Sequence, residues 1–228
     1  MTSTAGSPHP DDPPRRETSP ALRLLVVGVL LALAVSPTAV LVSLLGFGAV
    51  PAALGTLAAV FVGPALSAAF FALGEKARDD GLGPAAAFGR GYRLNALDVL
   101  TLWVPTLLVL AVVAFTVLDA AAQGASPWVV GLGLGLSVLI LLWLVQATAI
   151  ASFFAFRGRD TARLALYFLG RLPKVTFQVL LAVVLAGLFA LLSSVALLAL
   201  LGVLWVAVVL RCEKPMLAEV RLRFVDAD

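Results

Sequence analysis

The chain has 228 residues, 61% of them hydrophobic and 13% charged, where soluble domains run to roughly 45–50% apolar and about 25% charged. A soluble core of this length cannot hide so much apolar surface, so lipid is the expected solvent. The net charge of +3 and pI near 9.5 would suggest nucleic acid in a soluble protein, but basic inner loops explain them in a membrane protein, and no nucleic-acid partner is expected.

In chain order, residues 1–20 hold the single histidine, His9, in a stretch rich in Pro, Ser, Thr and charge, which reads as a disordered cytoplasmic tail. Five apolar runs follow, at 22–45, 50–73, 96–118, 128–154 and 175–210. About 20 apolar residues cross a bilayer core of roughly 30 Å, and the first four runs fit that length. The fifth has 36 residues and would reach about 54 Å as one helix, beyond what tilt absorbs. It is therefore read as two short spans, 175–192 and 195–210, turning at Ser193 and Ser194.

All 16 Lys and Arg residues fall in four places: the N-terminal tail with Arg23, the loop 75–93, the loop 157–174, and the tail from Arg211. The connections at 46–49 and 120–127 carry none. Basic residues gather on the cytoplasmic side. The expected fold class is thus all-α, a polytopic bundle of six transmembrane spans with both termini inside and Asp119 as the only charge outside. Its parts are the tail 1–20, a membrane domain 21–211 and a cytoplasmic C-terminal tail 212–228. Ala32-Leu33-Ala34 resembles a signal-peptidase site, but the apolar run continues to Leu45, which favours an uncleaved span.

Both inner loops are amphipathic. Phe88 and Tyr92 are four apart, and Leu164, Phe168 and Leu172 share a face, so each loop is expected to hold a short helix at the inner interface. The loops also read as one repeated unit: Phe70-Phe71 or Phe153-Phe154, then Arg78-Asp79 or Arg159-Asp160, then a Phe-to-Arg stretch, then Asn95 as a cap or Pro173 as a helix opener. Such a repeat would be parallel.

Small residues at intervals of four, Gly55, Ala59 and Gly63 beside Pro64, predict close helix packing, as do Gly131 and Gly135. Homo-oligomerisation is the second use of such stripes. Pro37, Pro64 and Pro105 should kink their spans.

Chemistry-bearing groups are few. Asp98 is expected near the start of the third span, paired with Arg93 or Arg90. Gln146 and Gln178 are candidates for hydrogen bonds across helices, and Asp98, Gln146 and Gln178 are the candidate contacts for a small polar ligand. A lone cysteine, Cys212, and a tail histidine give no metal site and no nucleophile–base pair. No phosphate-binding glycine loop precedes a helix, so neither cofactor nor catalytic residue is expected. Arg90, Arg93, Arg163 and Arg171 are the candidate contacts to a partner or to anionic lipid.

Gly63-Pro64-Ala65, the small run Ser67-Ala68-Ala69, the segment from Phe88 to Asn95 and the segment from Arg163 to Lys174 together resemble the YesL family of uncharacterised bacterial membrane proteins, over about residues 22–215. That family is often associated with carbohydrate-utilisation genes. The resemblance implies a multi-pass cell-membrane protein with a non-enzymatic accessory role in sugar uptake or sensing, and a carbohydrate ABC transporter subunit as partner beside the lipid bilayer itself. The alternative is a small transporter or solute-binding membrane subunit.

Overall fold

The computed structural model describes residues 19–154, 158–192 and 195–221. The tail 1–18 with His9, the turn at Ser193 and Ser194, and the end of the C-terminal tail lie outside the described residues.

Ser19 opens the first helix, α1 (Pro20–Leu44), by accepting the Leu22 amide on its hydroxyl at 3.3 Å, while Pro20 occupies a position where no amide donor is needed. Pro37 has no N–H for the Leu33 carbonyl four residues back, and the Ser36 hydroxyl donates to that carbonyl instead, at 2.8 Å. After Gly48, whose φ of 138° favours glycine, come α2 (Ala49–Ala58), a single 3₁₀ turn (Ala59–Phe61) and α3 (Val62–Leu73). The 3₁₀ turn lies just before Pro64, which cannot donate to Val60, and such tight turns are the usual accommodation. The Thr38 hydroxyl reaches across from α1 to the Ala58 carbonyl beside this break, at 2.8 Å. Each of these prolines thus has a hydroxyl hydrogen bond nearby.

The short α4 (Glu75–Asp79) follows, then α5 (Pro84–Ala122), α6 (Pro127–Phe153), α7 (Gly158–Arg171), α8 (Pro173–Leu192) and α9 (Val195–Val220). Four segments are long and apolar enough to cross a membrane: Pro20–Leu44, Ala49–Leu73, Pro84–Ala122 and Pro127–Phe153. A fifth is made if α7 and the first part of α8, bent by 102° at Leu172, count as one broken span. All described elements are helical.

α3 is the axis of the bundle. Every residue from 63 to 73 is buried, between α1, α5, α6 and α9. The outer helices bury one side and expose Leu25 and Leu33 of α1, Leu108 and Val112 of α5, and Leu132 and Leu139 of α6. Water would not tolerate such continuous apolar rows, whereas hydrocarbon does, and this is the structural basis for reading the chain as a membrane protein.

Two expectations change. The amphipathic stretch of the first basic loop forms no helix of its own: residues 84–95 run straight into the third apolar segment, making one helix of 39 residues, about 58 Å long. Nothing from Pro84 to Ala122 stops it, and Asn95, placed as a cap from sequence, lies mid-helix with its side chain donating to the Ser152 carbonyl at 3.2 Å. The second loop does break, because Pro173 disfavours helix at Leu172. At the C-terminal end, α9 continues past residue 211 to Val220 without interruption.

Candidate functional site

The centre of the bundle is filled by side chains from α3, α5 and α6. A Cβ on Gly63 would lie 2.5 Å from the Trp103 ring, so glycine is what lets α5 lay its indole flat against α3. The Trp103 Nε1 donates to Thr148 Oγ1 at 2.9 Å, and one turn on, Ser152 Oγ meets Ser67 Oγ at 2.8 Å. Thr148 and Ser152 also donate to carbonyls of their own helix, at 2.7 Å and 2.6 Å. Gly74 and Gly91 likewise admit Phe153 and Phe71. The two aromatic pairs that mark the repeat thus end in glycine-backed seats at one end of the bundle.

The small-residue stripes divide. Gly55 approaches Val42 at ordinary contact distance, and Gly63 is indispensable to packing, with Pro64 buried beside it. In α6 the close approach falls to Gly133, against Val117, while a Cβ on Gly131 or Gly135 meets nothing within 4 Å. Two residues turn a helix by about 200°, so Gly131 and Gly135 share a face that looks away from the neighbour Gly133 touches. Ala59 sits half-buried in the 3₁₀ turn.

Arg23 is the most committed charged side chain. Only 6% exposed, it donates to the Ala72 carbonyl at 2.9 Å and to the Leu82 carbonyl at 2.6 Å. It therefore closes the C-terminal end of α3, where a cation complements the helix dipole, and ties α1 to the segment leading into α5.

The polar candidates are not brought together. Asp98 is exposed on α5, three turns or more from that helix's start, and its carbonyl accepts from Thr101 Oγ1 at 2.7 Å. Arg90, expected near it, instead faces Asp80 at 3.8 Å. Gln178 is exposed on α8. Gln146 is fully buried on α6: its Nε2 donates to Thr176 Oγ1 at 3.5 Å, and its Oε1 has no partner among the described residues. Thr176 in turn donates to the Leu169 carbonyl at 2.8 Å, which joins α6, α7 and α8.

The basic candidates form an exposed set. Arg93 and Arg163 are exposed. Arg171 lies 3.6 Å from Glu219 and 5.8 Å from the centre of the Tyr167 ring. Lys214 donates to Glu75 at 2.9 Å, and that bond holds the Glu75 carboxyl below its ordinary range.

One titratable group escaped the sequence reading. Glu213 is completely buried, and neither of its carboxyl oxygens has a hydrogen-bond partner among the described residues. Burial pushes its carboxyl well above the ordinary range. The signal was legible: Val206, Val209, Glu213, Met216 and Val220 follow steps of three and four, and all are buried, so the glutamate occupies an apolar seam. No cluster of metal-ligating side chains occurs among the described residues.

A groove of about 650 Å³ opens where α5, α6 and α7 meet, lined among others by Thr101, Pro105, Val109, Ile140, Trp143 and Arg159. The Trp143 Nε1 donates to the Ala162 carbonyl at 3.1 Å and pins α7 to α6.

Comparison of the chain with family models, with curated proteins and with solved structures finds no match.

Proposed function

We propose that this chain is a non-enzymatic accessory protein of the cell membrane, a six-span helical scaffold with both termini inside, that docks a partner membrane subunit through its basic inner surface. The observation that carries this reading is the division of labour in the bundle. Its centre is packed solid around α3, while Arg90, Arg93, Arg163 and Arg171 stand exposed on α5 and α7. Arginine suits such contacts because its planar guanidinium binds carboxylate and phosphate bidentately. The resemblance to the YesL family makes a carbohydrate ABC transporter subunit the partner to seek. Crosslinking and affinity purification from native membranes, with cells grown on oligosaccharides, should recover a sugar-transporter permease. Charge reversal at Arg90, Arg93 and Arg171 should weaken that recovery at unchanged expression; undiminished recovery would reject these residues as the contact.

A second reading, a solute-binding membrane subunit, is favoured by Gln146, whose buried Oε1 has no hydrogen-bond partner among the described residues. A sugar that raises the unfolding temperature in detergent, with the shift abolished by Gln146→Leu, would support it. No shift across a broad sugar panel would count against it.

A further inference from the structure

The groove between α5, α6 and α7 has a lining of mixed character. One side is apolar, formed by Val109, Ile140 and the Trp143 ring; the other carries Thr101 and the exposed Arg159. Its size falls within the range of small-molecule sites, roughly 300–1,000 Å³. Its position sets the chemistry. Thr101, Pro105 and Val109 belong to the apolar part of a helix long enough to cross a membrane, as do Ile140 and Trp143. The groove therefore opens to lipid, and an occupant has to be soluble there.

Two features ask for a polar headgroup. Pro105 has no N–H, so the Thr101 carbonyl four residues back lacks its helical donor, and both residues line the groove. The Thr101 hydroxyl is already turned to the Asp98 carbonyl, at 2.7 Å. Arg159 brings a guanidinium to the edge of this apolar crevice and forms no ion pair among the described residues. A cation held beside hydrocarbon is costly unless it meets an anion, and phosphate suits arginine geometrically. Gly158 is what allows the approach: a Cβ there would lie 3.0 Å from Thr101 Oγ1, so the start of α7 is seated directly on α5.

We propose that this groove binds one anionic phospholipid, its phosphate on Arg159, a headgroup hydroxyl donating to the Thr101 carbonyl, and an acyl chain along Val109 and Ile140. Occupancy fills the crevice and links α7 to the two long helices, so the lipid also holds α7 in place. This site is separate from the arginines assigned above to a protein partner.

The test reconstitutes the full chain into phosphatidylcholine vesicles holding a minor fraction of chain-brominated lipid, either phosphatidylglycerol or phosphatidylcholine, and reads quenching of tryptophan emission. Trp143 lines the groove, so phosphatidylglycerol should quench more than phosphatidylcholine at equal mole fraction. Arg159→Gln should remove that excess. Arg163→Gln, one turn further along α7 and outside the lining, should retain it. Equal quenching by the two lipids in the wild type would overturn the site, as would an excess that survives Arg159→Gln or that Arg163→Gln abolishes equally. Recovery of a protein partner is independent of these readings, so failure here leaves the docking proposal standing, and the reverse.

Discussion

Among the described residues, Glu213 and Arg23 are the two charged side chains that the fold takes out of solvent, and they behave oppositely. Arg23 makes two short hydrogen bonds to carbonyls, each worth about 1.5–3 kcal/mol when the donor is charged. Arg23→Met should therefore lower the unfolding temperature substantially in a detergent melt, and loosen the segment leading into α5 as read by proteolysis after Arg78. Glu213 has no such compensation among the described residues. Its carboxyl takes up a proton more readily folded than unfolded, because burial raises its pKa. Stability then falls as pH rises from the unfolded value, about 4.3, through the raised folded value, and levels off above it. Glu213→Met should be more stable than wild type at neutral pH, by about 1–3 kcal/mol as for other unsatisfied buried groups. The gap should narrow in acid, where the carboxyl is protonated folded and unfolded alike. A pH series of thermal melts checks this, and a gap independent of pH would show that the carboxyl is not the cause.

At the scale of elements, glycine position decides which helices meet. Gly63 stands 2.5 Å, as a Cβ would, from a rigid indole that is itself hydrogen-bonded to Thr148. Gly63→Ala should cost about 1–3 kcal/mol, the usual range for overpacking. Gly131→Ala and Gly135→Ala, in open space, should be neutral or slightly stabilising through helix propensity. Melts of the three variants separate these outcomes; a destabilised Gly131→Ala would instead reveal a second copy of the chain packed on that face. Stripes with identical spacing thus differ in use, because spacing says that two glycines share a face and not what lies opposite. The same limit explains α5. Asn95 has the chemistry of a cap, yet the amides it would serve already bond within a continuous helix, and its side chain serves α6 instead.

At the scale of the whole molecule, the arrangement of charge predicts topology. With Cys212 replaced by alanine, a cysteine at position 119 should react with a membrane-impermeant maleimide added to intact cells, and one at position 93 should react only after the membrane is opened. Labelling of both from outside would contradict six spans with inner termini. The bend of 102° between α7 and α8 bears on the same question. It lets α7 fold back along α6, where Trp143 holds it through the Ala162 carbonyl while Gln146 donates to Thr176 at the start of α8, and it shapes the groove beside α5.

Sequence by itself determined the helical class, the long apolar segments and the exposed arginines between them. Those follow from composition and from a period of 3.6, which are local properties of the chain. It was also enough to mark Pro64, which follows a 3₁₀ turn, as a point of distortion, since a missing N–H is a fact about one residue. Only the tertiary structure decided that α3 is the axis, that Gly133 and not its neighbours touches α5, that Arg23 closes a helix, and that Glu213 is sealed from water. Each depends on what another helix presents at a given level. Between helices in lipid no strong hydrophobic drive fixes a partner; close steric fit and a few polar contacts choose it, and neither is written in the spacing of a single segment.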